Sequence, residues 1–431
     1  MTPMLGIRRE DKSRWERRAP LAPEHVRQLR EQHGVTTVVQ PSSIRVFPDA
    51  EYRDAGAVID EDLSSCNLVV AVKEIPTPLL RPGMAYMYFS HTIKGQAHNM
   101  PMLRRLVDLG CSLLDHEKVI DDQGRRLVLF GVHAGLAGMI DSLWALGRRL
   151  ELEGATTPLI RIGQAHTYPS LAAAEEQLRE AGRALARDGL PSSLGPVVIG
   201  LAGYGNVSRG AQHVVDLLQP HAVAPEELDG LAPGKLYKVV FREEHMVEPA
   251  VEGEQFDLQT YFAHPVRFRP TFARFLDHLT VLVNCIYWDA RYPRLVTKAD
   301  LRRLYAQGAS PRLRVIGDIS CDVDGSVEAT VKTTQPDAPV YVFDPQAERA
   351  IDGFEGRGPV IMAVDNLPCE LPREATLSFG SALAPFIPGA VTADFGSSFD
   401  ELRLPAELKR ALILHRGTLT PGYEYLDSYL R

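Results

Sequence analysis

An apolar run followed by closely spaced glycines, at residues 197–211, constrains the fold more than any other part of this sequence. Val197–Leu201 is typical of a buried strand, and Gly203 and Gly205 form a turn before the start of a helix. Glycines let a backbone approach a pyrophosphate closely, and a helix N-terminus supplies free N–H groups and a positive dipole end. This order predicts a dinucleotide-binding turn, and a tight turn without a ligand is the alternative.

The turn departs from the usual fingerprint and lies far along the chain. Ser208 occupies the third glycine position, and the next glycine, Gly210, comes two residues later. Roughly two hundred residues precede the turn, which is enough for a domain of ordinary size. With 431 residues in total, the chain is expected to form two to three domains.

Composition narrows the class of protein. With 45% hydrophobic and 24% charged residues, the sequence is typical of a soluble globular protein. Its formal net charge of −8 argues against a nucleic-acid partner and against an anionic membrane surface. The N-terminal residues contain no apolar run before the first charges, and no stretch reaches the ~18 apolar residues of a membrane helix. We therefore expect a cytoplasmic protein with small-molecule substrates and no membrane partner.

The cysteines support this interpretation. They are scattered without a CxxC pair, at Cys66, Cys111, Cys285, Cys321 and Cys369. Such spacing is typical of reduced thiols and not of a disulfide framework or a zinc site. We expect no bound metal.

Apolar runs of strand length alternate with helical patterns. The runs are Thr36–Val39, Leu68–Val72, Ala85–Phe89, Ser112–Leu114, Leu127–Phe130, Val197–Leu201, Lys238–Phe241, Val281–Asn284, Arg314–Ile316 and Val340–Phe343. The helical patterns include Pro23–Gln32, Met100–Leu109, Ala134–Gly154, Ser170–Asp188, Val207–Leu218 and Lys298–Ala306. Residues 219–235, rich in Pro, Glu, Asp and Gly, are predicted to be a loop insertion. The alternation predicts an α/β fold with parallel sheets and crossover helices.

Two long helical patterns indicate how the chain divides. The pattern at Ala134–Gly154 is predicted to bridge a first α/β domain and the nucleotide domain, and a second at Glu374–Phe386 carries the chain back. We therefore predict two Rossmann-like, doubly wound domains with a cleft between them, the first discontinuous. The predicted bounds are 1–138 plus 366–431 for the substrate domain and 139–365 for the dinucleotide-binding domain.

Ionisable residues stand just after several strands of the first half. Lys73 ends the run Leu68–Val72, His91 closely follows the run Ala85–Phe89, and Glu117 lies beyond the next run. In open α/β sheets, ligands bind at the carboxyl ends of the strands, so these side chains are predicted to share one rim. For each residue alone, a surface charge at the end of a strand is the alternative.

The sequence also resembles a known family. Gly6–Val26 is similar to the start of the lysine–ketoglutarate reductase domain, the N-terminal half of the bifunctional aminoadipic semialdehyde synthases. Further similar segments are Ala71–Pro76, Phe89–Lys94, Asp121–Gly138, Gly203–Gln212, Asn284–Trp288, Asp318–Ser326, Asp365–Ala375 and Gly417–Pro421. Saccharopine dehydrogenases and alanine dehydrogenases are the wider relatives. The chain resembles a stand-alone reductase domain, so we expect a separate saccharopine-oxidising enzyme to act next.

The resemblance implies a reversible reductive condensation. In this reaction the ε-amine of L-lysine joins 2-oxoglutarate, and a nicotinamide hydride reduces the imine to saccharopine, a step of lysine degradation. By similarity to the family's lysine and histidine pair, Lys73 and His91 are implied as the catalytic acid–base groups. The chemistry needs such groups, because amine deprotonation and water loss both require proton transfer and histidine titrates near neutrality.

The resemblance also implies the substrate contacts. Arg18 and Arg126 would hold substrate carboxylates, to which a guanidinium fork offers two parallel hydrogen bonds. Glu74 and Glu117 would bind the lysine-derived ammonium group. The alternative for Arg126 is a place beside a hairpin turn, and for Arg18 and Glu117 it is a surface role.

A further set of residues is implied to contact the cofactor. Those facing the pyrophosphate are Gly203, Gly205, Asn206, Val207 and Ser208. Those bordering the nicotinamide are Asp318, Asp322 and Asn366. A helix or turn cap is the alternative for Asp318.

The segment after the glycine turn bears on the choice of cofactor. An NAD site usually carries an acid about twenty residues beyond the glycines. Residues 221–225 contain none, and the first acid is Glu226. Because a missing carboxylate removes repulsion toward a 2′-phosphate, NADPH/NADP is predicted, with NAD as the alternative. The cations nearby are Lys235, Lys238 and Arg242.

Other functions stay open on the sequence alone. An NAD-dependent, L-lysine-forming saccharopine dehydrogenase performs the same chemical step with the other cofactor. A related reductase for another amine and oxoacid, and a non-catalytic nucleotide-binding sensor, are further alternatives. The joint presence of Lys73, His91, Arg18 and Asp322 argues against the sensor, because a sensor needs no acid–base pair.

Overall fold

A computed structural model describes residues 3–306 and 311–430. The chain divides into two compact units, Met1–Phe130 with Pro372–Arg431 (unit 1) and Gly131–Leu371 (unit 2). The divisions thus lie at 130/131 and 371/372, whereas the sequence placed them at 138/139 and 365/366.

The strands and helices follow one another in the alternating order of an α/β protein. The strands are β1 (Met4–Ile7), β2 (Thr36–Val39), β3 (Val58–Ile59), β4 (Leu68–Val70), β5 (Ala85–Tyr88), β6 (Ser112–Asp115), β7 (Val197–Ala202), β8 (His221–Val223), β9 (Leu236–Phe241), β10 (Val247–Pro249), β11 (Phe268–Pro270), β12 (Val281–Asn284), β13 (Val315–Asp318), β14 (Val340–Asp344), β15 (Arg349–Asp352), β16 (Val360–Met362), β17 (Leu412–His415) and β18 (Thr418–Leu419). The α-helices are α1 (Pro23–His33), α2 (Asp49–Asp54), α3 (Met100–Asp108), α4 (Gly131–Leu152), α5 (Leu171–Asp188), α6 (Asn206–Asp216), α7 (Glu243–Met246), α8 (Leu258–Ala263), α9 (Lys298–Leu304), α10 (Pro372–Leu383), α11 (Ile387–Val391), α12 (Ala406–Ala411) and α13 (Asp427–Leu430).

The sheet of unit 1 has eight strands in the order β18-β17-β6-β5-β4-β1-β2-β3. Strands β1 to β6 are parallel, whereas β17 pairs antiparallel with β6, and β18 with β17. The order reverses beside β1, which has β2 on one side and β4 on the other. Ligands bind at such a reversal point in open α/β sheets. Because β17 and β18 complete a sheet that the N-terminal strands begin, unit 1 is discontinuous in sequence.

Both faces of this sheet are buried. In β4, Leu68 and Val70 pack in one apolar cluster, and Val69 between them packs in another. Helix α1 contributes Leu29 to the first cluster, and α3 contributes Leu103 to the second. Successive side chains of a strand point to opposite faces, so a parallel strand covered on both sides reads as a continuous apolar run.

The sheet of unit 2 also has eight strands, in the order β15-β14-β16-β13-β12-β7-β9-β8. Six of them are parallel, and β14 and β15 run antiparallel at one edge. Strands β10 and β11 form a separate antiparallel pair. The order reverses beside β7, between β9 and β12, and the glycine turn follows β7 directly.

Two glycines allow α4 and α6 of unit 2 to pack closely. A Cβ at Gly135 of α4 would lie 1.9 Å from the carbonyl oxygen of Val207 in α6. In return, a Cβ at Gly210 of α6 would lie 2.1 Å from the carbonyl oxygen of Val132 in α4. Gly210, which comes two residues late for the nucleotide fingerprint, therefore has a packing role.

The predicted α/β class with largely parallel, doubly wound sheets is confirmed, but two predicted segments were wrong. Leu127–Phe130 is not a strand, because it leads into α4 and the Phe130 ring stacks on Phe379 at a centroid distance of 4.4 Å. Residues 219–235 are not only a loop, because β8 extends the sheet edge beside β9. The sequence patterns also missed the short strands β1, β16 and β17, whose few residues show no period and pair with strands distant in sequence.

Within the described part of the chain, no helix combines the length and the apolar character needed to cross a membrane. All five cysteines are buried, and none of them forms a disulfide bond within the described residues.

Candidate active site

In unit 1, the ends of β4 and β5 bring three of the predicted residues together. Lys73 and Glu74 follow β4, and His91 follows its parallel neighbour β5. The imidazole Nδ1 of His91 lies 3.4 Å from Oε2 of Glu74. The other carboxylate oxygen, Oε1, accepts a hydrogen bond of 2.5 Å from Nζ of Lys12. Lysine, carboxylate and imidazole therefore share one rim of the sheet, and the carboxylate is that of Glu74, whereas the sequence predicted Glu117 beside Lys73 and His91.

Lys73 has the environment of a proton-exchanging amine. Burial lowers its pKa from the ordinary lysine value, and the nearby guanidinium of Arg18 lowers it further. The carboxylates of Glu16 and Glu74 oppose this effect. A lowered pKa makes it easier for a lysine amine to give up its proton and take it back during turnover.

Glu74 stays ionised between Lys12 and His91. Burial alone would raise its pKa, but the contacts with His91 and Lys12 outweigh burial and lower the pKa below the ordinary value. An ionised carboxylate at Nδ1 orients the imidazole and leaves the opposite ring nitrogen to face a substrate.

The backbone of His91 is unusual. Its φ of +49° lies in the left-handed region, which non-glycine residues adopt rarely. The side-chain amide of Asn99 donates hydrogen bonds to the carbonyl oxygens of Ser90 (3.1 Å) and His91 (3.3 Å). The local conformation is therefore held from outside the strand, as is common where side chains are positioned for function.

Arg18 is buried and already paired with a carboxylate. Its Nε and Nη2 donate to the two carboxylate oxygens of Glu16 at 2.7 and 2.6 Å, and both side chains are almost completely buried. The guanidinium also stands 4.2 Å from the ring centre of Phe130. A substrate carboxylate at Arg18 would have to share this guanidinium with Glu16.

Glu117 and Arg126 pair with each other. Nη2 of Arg126 contacts Oε1 of Glu117, and an isolated antiparallel bridge joins Ile120 to Arg126. Arg126 thus stands beside the turn near Asp121, which is the place that the alternative interpretation gave it. Its side chain is half exposed. The sequence predicted that Arg126 binds a substrate carboxylate and Glu117 a substrate ammonium group, whereas here the two side chains form an ion pair with each other.

Two buried carboxyl groups beside this rim were missed by the sequence analysis. Glu10 follows β1, and Asp115 ends β6. Burial, together with the charge of Glu16, raises the pKa of Glu10 to about 7, and burial raises the pKa of Asp115 to about 6. The sequence does show each of these acids at a strand end or within three residues of it. Exposed acids also occur at strand ends, so this position alone does not identify a buried one.

In unit 2, the glycine turn has the shape that a pyrophosphate requires. Gly203 has a φ of +92°, and a Cβ there would lie 3.0 Å from the side chain of Ile286. A Cβ at Gly205 would meet no atom within 4 Å, so open space faces this residue. Gly205 directly precedes α6, and the first N–H groups of a helix have no acceptor within the helix. These residues fit a nicotinamide dinucleotide.

The other residues predicted at this turn differ in exposure. Asn206 and Val207 are partly exposed, and Oδ1 of Asn206 contacts Nη2 of Arg209. Ser208 is fully buried, and its hydroxyl accepts a hydrogen bond of 3.1 Å from Gln212. The Ser208 side chain is therefore enclosed within unit 2 and not exposed at the turn.

Asp318, at the end of β13, is committed to internal hydrogen bonds. Oδ1 accepts from the amide of Asn284 (2.8 Å) and from the backbone N–H of Cys321 (3.3 Å), and Oδ2 accepts from Thr330 (2.5 Å). Burial raises its pKa to about 6. Asp318 therefore caps the turn after β13, whereas Asp322 is exposed and Asn366 is partly exposed.

The sheet order corrects the expected place of the cofactor-selecting residue. The segment 221–225 includes the edge strand β8, which is separated from β7 by β9. In β9, Phe241 pairs with Ala202 at the end of β7, so Arg242 stands beside the glycine turn. Its guanidinium lies 5.1 Å from the ring centre of Tyr204 in that turn. The absence of an acid at 221–225 therefore carries no weight for cofactor choice.

Within the described residues, no group of three or more His, Cys, Asp or Glu side chains is arranged to hold a metal ion.

Comparison with known proteins agrees with this architecture. Residues 6–137 match the family described as alanine dehydrogenase/PNT, N-terminal domain. The chain is 37% identical to an alpha-aminoadipic semialdehyde synthase of Arabidopsis thaliana, over 98% of this chain and 41% of that protein. It is 26% identical to an NAD(+)-dependent, L-lysine-forming saccharopine dehydrogenase of Neurospora crassa, over 89% of this chain and 91% of that protein.

A solved L-alanine dehydrogenase has a similar fold, with a TM-score of 0.65 and 18% identity over 99% of this chain and all of that one. The chain spans less than half the length of the synthase that it matches. The predicted resemblance is confirmed: the chain is similar to alpha-aminoadipic semialdehyde synthase over nearly its whole length, and its residues 6–137 match the N-terminal domain family of alanine dehydrogenase and PNT.

Proposed function

We propose that this protein is a nicotinamide-dependent oxidoreductase that joins L-lysine to 2-oxoglutarate and reduces the resulting imine to saccharopine, reversibly. The arrangement of Lys73, Glu74 and His91 at neighbouring strand ends of unit 1 carries the proposal. The similarity to alpha-aminoadipic semialdehyde synthase supports the substrate class. Arg18 and Arg126 are the candidates for holding substrate carboxylates, and Glu74 and Glu117 for holding the lysine-derived ammonium group.

The side chains suit the proton transfers of this reaction. The ε-amine of lysine must lose a proton to attack the ketone carbon, and the carbinolamine must then lose water. Lys73, with its lowered pKa, is suited to exchange the first proton, and His91, held by Glu74, is suited to protonate the departing hydroxyl. A bound nicotinamide supplies the hydride that reduces the imine carbon.

NADPH is the proposed cofactor, and Arg242 is the residue that supports it. Lys235 precedes β9 and so lies at the other end of the strand, and Lys238 pairs with Asp216 at 2.5 Å. Arg242 is exposed beside the glycine turn, where a guanidinium suits a ribose 2′-phosphate. The adjacent Glu243 is the feature that supports the NAD alternative, because a carboxylate there suits ribose hydroxyls.

The reaction is tested by following nicotinamide absorbance with lysine, 2-oxoglutarate, and NADPH or NADH in parallel. Oxidation that needs both substrates and prefers NADPH is the expected result. A preference for NADH favours the lysine-forming dehydrogenase. Cofactor binding without turnover favours a different amine and oxoacid or a sensor, and contradicts the proposed reaction.

The cofactor preference is tested with Arg242→Ala. Loss of a charged hydrogen-bonding partner is expected to raise KM for NADPH about 10- to 100-fold and to leave KM for NADH nearly unchanged. Lys238→Ala is the matched control, since it removes a cation from the same strand that is already paired. An equal effect of Arg242→Ala on both cofactors would remove this residue from 2′-phosphate recognition.

A further inference from the structure

The first of the two missed carboxylates holds the backbone that carries Lys73. Glu10 is 5% exposed. Its Oε1 accepts a hydrogen bond of 2.6 Å from the backbone N–H of Val72, and its Oε2 accepts one of 3.0 Å from the backbone N–H of Lys73. Both oxygens are thus committed to consecutive amides just beyond the end of β4. The N–H groups of Val72 and Lys73 lie beyond Val70, the last residue of β4, so the carboxylate replaces the acceptors that a longer strand would have offered them.

The second carboxylate holds Ser90, the residue before His91. Asp115 is completely buried, and its Oδ2 accepts a hydrogen bond of 3.1 Å from the backbone N–H of Ser90, as well as one from the Ser90 hydroxyl. Its Oδ1 accepts a hydrogen bond of 2.7 Å from the backbone N–H of Glu117. Ser90 immediately precedes His91, whose φ lies in the left-handed region.

The two carboxylates occupy equivalent places in the sheet. The strand order β6-β5-β4-β1 puts Lys73 and His91 after the two inner strands, and Asp115 and Glu10 after the two outer ones. Each outer strand therefore supplies one buried acid that reaches sideways to the backbone of the inner strand next to it. Because neighbouring parallel strands end on the same rim, each acid lies close to the backbone that it contacts.

We propose that Glu10 and Asp115 are positioning residues that fix the backbone of Lys73 and of His91 for proton transfer, a role that rests on the proposed function. All four carboxylate oxygens of the two residues accept hydrogen bonds from groups of unit 1. Proton transfer depends on donor and acceptor standing within hydrogen-bond reach, and a displacement of about 1 Å can cost about 100-fold in rate. The buried acids supply a rigidity that an unpaired loop after a strand lacks.

The test uses the isosteric variants Glu10→Gln and Asp115→Asn in the full chain. Each replaces one accepting oxygen by an NH₂ group, which faces a backbone N–H and cannot accept from it. We expect kcat to fall about 10- to 100-fold, with KM for lysine and for NADPH little changed. Glu10→Asp keeps both accepting oxygens on a shorter stem and is expected to recover part of the lost rate.

Glu370→Gln is the matched control in unit 2. Glu370 is also buried, and its Oε2 also accepts from a backbone N–H, that of His166, at 3.2 Å. Its replacement changes the same chemical group without touching the segments after β4 and β5, so kcat is expected to stay near the wild-type value. An equal loss of kcat in Glu370→Gln would overturn the proposal, because any buried carboxyl would then matter as much.

A second measurement does not depend on turnover. The rate at which an amine-reactive anhydride modifies Lys73, read by peptide mass spectrometry relative to Lys94, reports the placement of the Lys73 amine. We expect this ratio to change in Glu10→Gln and to match the wild type in Asp115→Asn and Glu370→Gln. If the wild type lacks the proposed activity, this ratio still decides the role of Glu10. Folded variants with a wild-type kcat, or an unchanged ratio in Glu10→Gln, would overturn the proposal.

Discussion

The imidazole Nδ1 of His91 lies 3.4 Å from the carboxylate Oε2 of Glu74, although seventeen positions separate them in sequence. Glu74 follows β4 and His91 follows β5, and these strands are parallel neighbours. The contact makes the end of one strand the orienting partner of the next. It also links the imidazole, through Glu74, to the ammonium group of Lys12.

Replacing Lys73 by Met should remove the exchangeable proton at this rim while keeping most of the apolar stem. Turnover with lysine, 2-oxoglutarate and NADPH is expected to fall about 10²- to 10⁴-fold, and cofactor affinity to remain nearly intact. Lys94→Met, which alters an exposed lysine in the segment after His91, is the control. A wild-type rate in Lys73→Met would remove this residue from the mechanism.

Replacing His91 by Asn separates the chemistry of the imidazole from the conformation of its backbone. Asn tolerates the left-handed φ of +49° better than most residues, so the variant should keep the fold after β5. Turnover is expected to fall about 10²- to 10⁴-fold, with a thermal unfolding midpoint closer to the wild type than that of His91→Ala. Steady-state kinetics and thermal denaturation of both variants check this. Retained activity in His91→Asn would mean that an amide suffices at this position.

A valine at Gly205 should abolish cofactor binding without unfolding unit 2. A Cβ at this position meets no protein atom within 4 Å, so the side chain would project into the space proposed for the pyrophosphate. Titration of NADPH by fluorescence, with circular dichroism to verify folding, measures this. Gly210→Ala offers the contrast, because its Cβ would approach the Val132 carbonyl to 2.1 Å and should destabilise the unit by about 1–3 kcal/mol. Undiminished NADPH affinity in Gly205→Val would place the phosphates elsewhere.

A buried acid pair should make the stability of unit 2 depend on pH. Asp141 of α4 and Glu370 accept hydrogen bonds from the backbone N–H groups of Ala165 (2.8 Å) and His166 (3.2 Å). Burial raises the pKa of Glu370 from 4.5 to about 8, and burial together with the Glu370 charge raises the pKa of Asp141 well above its ordinary value. At pH values between 4.5 and about 8, the folded chain therefore binds more protons at Glu370 than the unfolded chain does. The free energy of unfolding should therefore fall as pH rises from about 5 to about 8.

The side chain introduced by Glu370→Gln is neutral at every pH. The free energy of unfolding of this variant should therefore depend less on pH. Thermal unfolding of the wild type and of Glu370→Gln across that range is the measurement. The gap between their unfolding midpoints is expected to shift in favour of the variant as pH rises. Parallel curves for the two proteins would show that Glu370 does not titrate with a raised pKa.

The strand-turn-helix of the glycine segment was predictable because its evidence is local. An apolar run, two glycines and a helix start are neighbours in sequence, and the structure has β7, the turn at Gly203 and Gly205, and α6 in that order. The positions of Lys73 and His91 after apolar runs were equally local. Their roles as acid and base stay predictions, as do the other substrate and cofactor contacts.

The sequence by itself determined the α/β class, the glycine turn and the presence of a lysine and a histidine after two strands, because periodicity and residue chemistry are carried by adjacent residues. Only the tertiary structure decided that β9 and not β8 lies beside β7, so that Arg242 meets the glycine turn. It also decided that Glu16 forms an ion pair with Arg18 and that Glu10 accepts a hydrogen bond from the backbone N–H of Lys73. Sheet order and buried pairs join residues far apart along the chain, and hydrogen bonding and burial select those partners only when the strands assemble.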